Sequence, residues 1–269
     1  MATAPANNLP LFYKDLQPLS SVDHADWRAR GLDRADFLID QHAVPLTSDE
    51  FTSACRFYPI VFSAGDNPVP LALMGLNEGV HPFADAAARL KTPVYAPAYI
   101  RRYPFLPVTT PGNDALMLAI DRPRLVERGG AVPEDEPGRL FDGDKASPLA
   151  ERALAFCERY HRDHLRTAAF AAALRERDLL DARRADIRLP DRSQFRVDGF
   201  RMIDRVKLRV LPDDCLGDWF RKGWLDLAAL AEAAQANWQA LLDRKAALPS
   251  TTTDAPPARR RPARKRADA

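Results

Sequence analysis

Three side chains of the kinds that bind transition metals lie close together in one stretch of the chain. Cys157, His161 and His164 are four and three residues apart, so a helix would carry all of them on one surface. The same stretch has apolar residues at helical spacing, so Cys157 fits a hydrophobic core equally well. A structural zinc site usually has four ligands, and no second cluster is evident. We therefore expect no metal and no other cofactor, with this triplet as the alternative.

Two arginines stand among aromatic residues in a second stretch, residues 99–105. Guanidinium groups beside aromatic rings can bind carboxylates, phosphates or the surface of a partner protein. The alternation of Tyr99, Arg101 and Tyr103 would also fit one face of a strand, with the arginines paired to nearby carboxylates. The binding hypothesis gives six candidate residues: Tyr58, Tyr99, Arg101, Arg102, Tyr103 and Phe105.

The sequence contains none of the local signatures of the common hydrolases and nucleotide-binding proteins. It has no GxSxG elbow, no GxxxxGK[ST] loop, no GxGxxG turn between a strand and a helix, and no HExxH. A cysteine and a histidine could still meet in space as a nucleophile and its base, but no local motif selects a pair. We therefore predict no catalytic residue, and the sequence favours a protein without enzymatic activity.

Basic residues are concentrated at the C-terminal end. Residues 249–269 carry a net charge of +4, and the rest of the chain carries −2, within a total of +2. The basic residues of this tail are Arg259, Arg260, Arg261, Arg264, Lys265 and Arg266. Ser, Thr, Pro and Ala fill the remainder, so we expect a disordered tail that either contacts polyanions or is simply solvated.

The composition is that of a folded protein. Of 269 residues, 46% are apolar and 28% are charged, close to the averages of globular domains. No run of about 18 uninterrupted apolar residues occurs, so no membrane span is expected. The N-terminal residues lack a basic region followed by an apolar one, which favours the cytoplasm; the alternative is the cell surface, reached by signal-independent export. Three cysteines without close pairing predict no disulfide framework.

Antiparallel strands dominate the predicted elements of the N-terminal half. Thr47 and Glu50 have the spacing of a capping box, which predicts a short helix to about residue 56. Two β-rich runs, residues 58–62 and 69–76, flank a turn sequence and predict a hairpin. Residues 80–83 and 116–120 predict further short strands. A loop rich in proline, glycine and charge then fills residues 121–148.

Helices and one more hairpin make up the predicted C-terminal half. Ser147 followed by proline predicts the start of a long helix that ends near Leu180. Residues 186–189 and 194–203 predict a hairpin with one buried face, and two helices follow, one to about residue 223 and one over 225–246. The class is α+β, as a single domain over 1–248 with possible subdomains 1–125 and 147–248.

Seven segments follow one another along the chain in a recognisable order: residues 57–62, 70–76, 97–105, 118–121, 138–142, 197–204 and 237–242. Through these segments, in this order, the chain resembles the SapC family of bacterial surface-layer-associated proteins. The resemblance spans about residues 13–244, nearly all of the expected folded part. The soluble family is meant, since an unrelated membrane permease of peptide transport shares the name and would need membrane spans.

This resemblance implies a protein connected with surface-layer formation or protein export. It brings no established reaction, cofactor or catalytic residue. We therefore expect a non-enzymatic accessory or structural protein that binds a surface-layer or secretion protein through an exposed aromatic patch. The alternative is an enzyme or small-molecule binder in which Arg101 and Arg102 frame a site for an anionic ligand.

Overall fold

A computed structural model describes residues 9–30, 36–38, 41–75, 83, 93–110, 113–127, 138–188 and 194–247. The strands are β1 (Leu16–Pro18), β2 (Arg28–Ala29), β3 (Ala43–Pro45), β4 (Ile60–Ser63), β5 (Pro70–Leu73), β6 (Phe105–Thr110), β7 (Asn113–Asp121), β8 (Leu125–Val126), β9 (Phe141–Asp142), β10 (Lys145–Ala146), β11 (Leu180–Arg188) and β12 (Gln194–Ile203). The helices are α1 (Phe51–Ala54), α2 (Ala98–Arg102), α3 (Pro148–Glu176), α4 (Arg205–Arg209), α5 (Asp213–Arg221), α6 (Trp224–Ala233) and α7 (Asn237–Ala246). Helices packed on antiparallel sheets confirm the α+β class.

The largest sheet combines strands from both ends of the chain. Its order is β11-β12-β4-β5-β3, and every neighbouring pair is antiparallel. The predicted hairpin of β4 and β5 is confirmed, with Ile60 opposite Ala72. The predicted hairpin of β11 and β12 is also confirmed: Leu180 and Phe200 are buried at its base, and Ala185 and Val197 pack partly buried against the core.

A second sheet brings the N-terminal segment onto the middle of the chain. Strand β7 lies between β1 and β6, and Leu16 faces Asp121 in the ladder. Two-stranded ladders join β2 to β8 and β9 to β10. Of the strand predicted at residues 80–83 only Phe83 is described, and that residue is fully buried.

Helix α3 begins as predicted and ends earlier than predicted. Ser147 is its N-cap, and its hydroxyl oxygen accepts a hydrogen bond from the Ala150 amide at 3.3 Å. The helix ends at Glu176 instead of near Leu180, because Asp178 has a φ of +51° and Leu180 already begins β11. A residue in the left-handed region cannot continue a right-handed helix.

The C-terminal helices differ from the prediction in two places. Helix α4 was not predicted, although Asp204 caps it by accepting from the amides of Val206 and Lys207. The single helix predicted over 225–246 is divided into α6 and α7 by a 3-10 turn at Ala234–Ala236. Asn237 explains the break, because its side chain donates to the carbonyls of Cys55 and Tyr58.

Two hydrophobic clusters hold these layers together. The larger one lies between the five-stranded sheet and the helices, and its fully buried members include Phe62, Phe170 and Leu174. The smaller one joins the three-stranded sheet to the first turns of α3 through Ile120, Leu140 and Cys157. The long helix α3 contributes to both, so it fixes the position of one cluster relative to the other.

Candidate functional site

Four parts of the chain meet around a surface cavity of about 310 Å³. They are the end of β2, the end of α2, the start of β6 and the first turns of α3. Its lining residues are Ala29, Arg30, Arg101, Arg102, Tyr103, Pro104, Phe105, Leu149, Arg152, Ala153 and Phe156. We call this cavity the arginine pocket.

The arginine pocket carries positive charge without a matching carboxylate. Four of its lining residues are arginines, and none of the described residues that line it is acidic. Arg30, Arg101 and Arg152 are exposed, whereas Arg102 is buried. Within the described ranges, none of the four forms a salt bridge. An uncompensated cluster of guanidinium groups attracts anions.

Arg102 packs against three aromatic rings. This residue is buried, with only 7% of its surface exposed. The guanidinium carbon lies 4.5 Å from the ring centre of Tyr160, 4.7 Å from that of Tyr99 and 5.8 Å from that of Tyr13. Burial raises the pKa of these tyrosines, so their rings face the cation as neutral phenols. Such cation–π contacts each contribute about 0.5–2 kcal/mol.

One nitrogen of this buried arginine has no hydrogen-bond acceptor. The Nε atom of Arg102 finds no partner among the described residues. Leaving a buried charged donor without an acceptor costs more than leaving a neutral one, because its water shell is lost without replacement. An anion in the pocket is the kind of ligand that would meet this demand.

Arg101 is positioned by a chain of hydrogen bonds that begins in the core. Its Nε donates to the Ala96 carbonyl at 3.0 Å and its Nη2 to the Tyr95 hydroxyl at 3.1 Å. Tyr95 in turn donates to Glu50, and the guanidinium lies 5.4 Å from the ring centre of Phe156. Burial and the nearby Glu50 raise the pKa of Tyr95 to about 12, so it stays a neutral donor.

Tyr103 has a structural role beside the pocket. Its hydroxyl donates to Asp121 Oδ2 at 2.7 Å, and burial together with this hydrogen bond raises its pKa to about 12. Asp121 is fully buried, and its other oxygen accepts from the backbone amides of Lys14 and Asp15. This network ties the N-terminal segment to β7, and it leaves the Tyr103 hydroxyl no free role in binding.

The structure brings together five of the six sequence-predicted binding residues. Arg101, Arg102, Tyr103 and Phe105 line the pocket, and Tyr99 stacks on Arg102. Tyr58 lies elsewhere, fully buried in the larger cluster, where its hydroxyl donates to the Tyr95 carbonyl at 2.5 Å.

Two expectations about these residues were wrong. Residues 98–102 form α2, so the alternating strand face that Tyr99, Arg101 and Tyr103 would have shared does not exist. The aromatic residues are at least nine-tenths buried, so they form no exposed aromatic patch. Sequence reasoning also missed Arg30 and Arg152, because neither stands near the motif along the chain and only the tertiary fold brings them to it.

The residues of the proposed metal triplet lie in different environments. Cys157 is fully buried in the smaller cluster, and burial raises the pKa of its thiol to about 11. His161 and His164 are exposed, and His164 stacks on the Tyr160 ring. Burial and the neighbouring His161 lower the pKa of His164. Across the described ranges, no three His, Cys, Asp or Glu side chains are placed to share a metal ion.

Comparison with known protein families identifies the family of the chain. The SapC family model matches residues 19–241, which is most of the chain and includes every element around the pocket. The chain belongs to the SapC family. No curated protein and no solved structure matches it. In this SapC-family chain, no described helix is both long and apolar enough to cross a membrane. The basic tail, residues 249–269, lies outside the described residues.

Proposed function

We propose that the protein is a non-catalytic accessory protein of surface-layer formation or protein export, and that it binds an anionic group of a partner protein in the arginine pocket. One observation carries the proposal: four arginines converge on an open cavity whose described lining contains no carboxylate. Membership of the SapC family supports the cellular context. A positively charged pocket whose described lining supplies no negative charge is suited to binding an anionic group of another molecule.

The way the pocket is built supports binding of a partner. Arg30 and Arg152 are exposed at its edge, where long-range attraction speeds association with an anionic partner. Arg102 lies on its buried side, where a charge-assisted hydrogen bond is worth most. The exposed arginines therefore attract the partner, and the buried arginine stabilises the correctly docked complex.

A cross-linking experiment in the native host tests this function. Proteins cross-linked to the wild-type chain would be identified by mass spectrometry, in parallel with an Arg30→Gln/Arg152→Gln variant and an Arg162→Gln control. Arg162 is an exposed arginine of the same helix that does not line the pocket. We expect a cross-linked surface or secretion protein with the wild type and with the control. The double variant should give a yield of this partner that is lower by a factor of about ten or more, because loss of one charged hydrogen bond weakens the affinity about tenfold or more.

Two outcomes would contradict the proposal. One is the absence of any surface or secretion protein among the cross-linked products, with cell fractions confirming that the protein was accessible to the reagent. The other is recovery of the same partner, at the same yield, by the double variant.

A small-molecule binder is the second candidate. The specific observation in its favour is the cavity volume of about 310 Å³, which falls at the small end of the range of roughly 300–1,000 Å³ typical of small-molecule sites. Native mass spectrometry of protein purified from its host distinguishes the two functions. A low-mass ligand that is retained by the wild type and lost in the double variant would favour the second.

A further inference from the structure

The arginine pocket has a second chemical property besides its charge. Its walls between the arginines are apolar, formed by the rings of Phe105 and Phe156 and by Leu149, Ala153 and Pro104. A small, strongly hydrated anion would lose its water shell against these walls and gain no apolar contact in return. An anion attached to an apolar group would gain from both parts of the surface.

We propose that the arginine pocket binds a carboxylate attached directly to an apolar group about the size of a leucine side chain. The carboxylate would lie between Arg102 and the arginines at the edge of the pocket, and the apolar group would lie against Phe105, Leu149 and Ala153. This inference rests on the proposed function, because it names the chemical group that the pocket recognises.

The geometry of Arg102 favours a carboxylate on its buried side. A guanidinium offers donors in one plane, and a carboxylate offers two oxygens that can accept from them side by side. The ring centres of Tyr99 and Tyr160 lie 4.7 Å and 4.5 Å from the guanidinium carbon and 6.3 Å from each other, so the two rings lie on adjacent sides of the group rather than on opposite faces, and Arg102 itself lines the pocket. The Nε atom of this guanidinium is left without a partner among the described residues.

The surroundings of the pocket argue against a nucleic acid. Single-stranded nucleic acids bind through bases stacked on exposed aromatic rings. Phe105 is 9% exposed, and the ring of Phe156 already has the guanidinium groups of Arg101 and Arg159 over it. No open aromatic platform therefore remains among the residues that line the pocket.

Two sources could supply this ligand chemistry. A free aliphatic acid carries a carboxylate on an apolar group, and so does the last residue of a protein chain that ends in leucine. Only the chain end continues into peptide, which must leave through the open side of the cavity. The test therefore includes a probe for each source, together with control probes that lack either the carboxylate or the apolar group.

Isothermal titration calorimetry with the purified full-length protein provides the test. The probes are isocaproate, acetate, inorganic phosphate, and a short peptide ending in leucine with either a free or an amidated C-terminus. We expect isocaproate or the free-acid peptide to bind at least about tenfold more tightly than acetate, phosphate or the amidated peptide, as loss of one charged hydrogen bond or of one buried leucine side chain predicts. Tighter binding of the peptide than of isocaproate identifies a chain end as the source; the reverse identifies a free acid.

Variants connect any binding to the pocket. The Arg30→Gln/Arg152→Gln variant should bind the preferred probe about tenfold more weakly, and Arg162→Gln should bind it as the wild type does. Arg102→Met should abolish binding while the midpoint of urea unfolding changes little, because removal of a buried charged donor that has no acceptor among the described residues offsets the loss of the cation–π contacts with Tyr13, Tyr99 and Tyr160. Circular dichroism would confirm that each variant is folded.

Several results would overturn the inference. They are binding of the amidated peptide or of phosphate as tight as that of the preferred probe, no binding of any probe at millimolar concentration, or binding of the preferred probe that is unchanged by Arg30→Gln/Arg152→Gln. These failures are separable from failure of the proposed function. Cross-linking that depends on the arginines without binding of the probes rejects the carboxylate, whereas binding of the probes without a host partner rejects the accessory role.

Discussion

Two buried charged residues beside the pocket are satisfied in opposite ways. Glu50 is 5% exposed, and its two carboxylate oxygens accept hydrogen bonds from the Thr47 amide, the Thr47 hydroxyl, the Tyr95 hydroxyl and the Ala98 amide. Arg102, similarly buried, keeps a donor without an acceptor among the described residues. A buried charge with all its hydrogen bonds made stabilises the fold, whereas a buried donor without an acceptor is unfavourable until a ligand supplies one. Glu50 is therefore structural, and Arg102 is the residue that we propose for binding.

Replacing Glu50 by glutamine should destabilise the protein by about 1–3 kcal/mol. The substitution removes the charge and replaces one accepting oxygen by an NH2 group. This NH2 group can only donate, so the donors that it faces lose their acceptor. Urea unfolding followed by circular dichroism measures the change. Asp49→Asn is the matched control on the same turn: Asp49 is exposed and pairs with Arg166, so its loss should cost less than about 1 kcal/mol. Equal costs for the two variants would mean that the buried network of Glu50 contributes nothing special.

Helix α3 connects the pocket to both hydrophobic clusters. Its first turns supply Arg152 and Phe156 to the pocket, and further along Tyr160 covers one face of Arg102. Its C-terminal half buries Phe170 and Leu174 in the larger cluster. The geometry of the pocket therefore depends on where this helix begins and on how firmly its first turn is held.

Ser147 is the residue that fixes the start of α3. Its hydroxyl accepts from the Ala150 amide and donates to the Arg139 carbonyl at 2.6 Å. Ser147→Ala should lower the free energy of unfolding by about 1–2 kcal/mol, the usual cost of a lost N-cap with a second hydrogen bond added. Urea unfolding measures it, with Ser53→Ala as control. Ser53 is an exposed serine within α1, and its change should stay within about 0.5 kcal/mol. A cost for Ser147→Ala no larger than that for the control would refute this role.

At the scale of the whole molecule, the two halves of the chain share one sheet. Strand β4, from the N-terminal half, pairs with β12 from the C-terminal half, with Phe62 opposite Arg201. The larger cluster likewise contains residues from both halves, among them Phe51 and Trp219. We propose that residues 1–248 fold as one cooperative unit, because neither half can complete this sheet or this cluster alone.

A fragment experiment tests this proposal. Residues 147–248 expressed alone would lose the β4 partner of β12 and the sheet surface against which α6 packs. We expect this fragment to unfold without a cooperative transition in urea, whereas residues 1–248 show a single transition that is the same by fluorescence and by circular dichroism. A fragment that unfolds cooperatively would instead identify residues 147–248 as a subdomain.

Alkaline pH should destabilise the folded chain strongly. All six tyrosines have a raised pKa chiefly because of burial, which disfavours the phenolate. Their stabilising effect is fully present below the unfolded pKa of about 10, and it is lost as the pH rises from there through about 12 and beyond. Each well-buried tyrosine then lowers the free energy of unfolding by about 1.4 kcal/mol per pH unit.

Urea unfolding at a series of pH values, with tyrosinate absorbance recorded in parallel, measures this dependence. Ionisation and unfolding should occur together, and Tyr58→Phe should reduce the slope above pH 10 by the share of one tyrosine. Tyrosinate absorbance that rises near pH 10 while the protein stays folded would show that these phenols are not held in their neutral form.

The sequence by itself determined the features that depend on neighbours along the chain. The capping box of Thr47 and Glu50, the hairpin of β4 and β5 and the start of α3 at Ser147 all follow from local spacing and turn chemistry. The α+β class and the family follow from the order of such segments. These predictions needed no knowledge of distant contacts.

Only the tertiary structure decided which residues line a binding site and which belong to the core. The end of α3 depends on Asp178 taking a left-handed conformation, and the break between α6 and α7 depends on Asn237 reaching carbonyls about 180 residues earlier in the chain. The arginine pocket depends on Arg30 and Arg152 meeting Arg102 from distant positions on either side of it in the chain. Burial and charge compensation are properties of such long-range contacts, so local spacing can nominate an arginine but cannot say whether a carboxylate of the same chain already pairs with it.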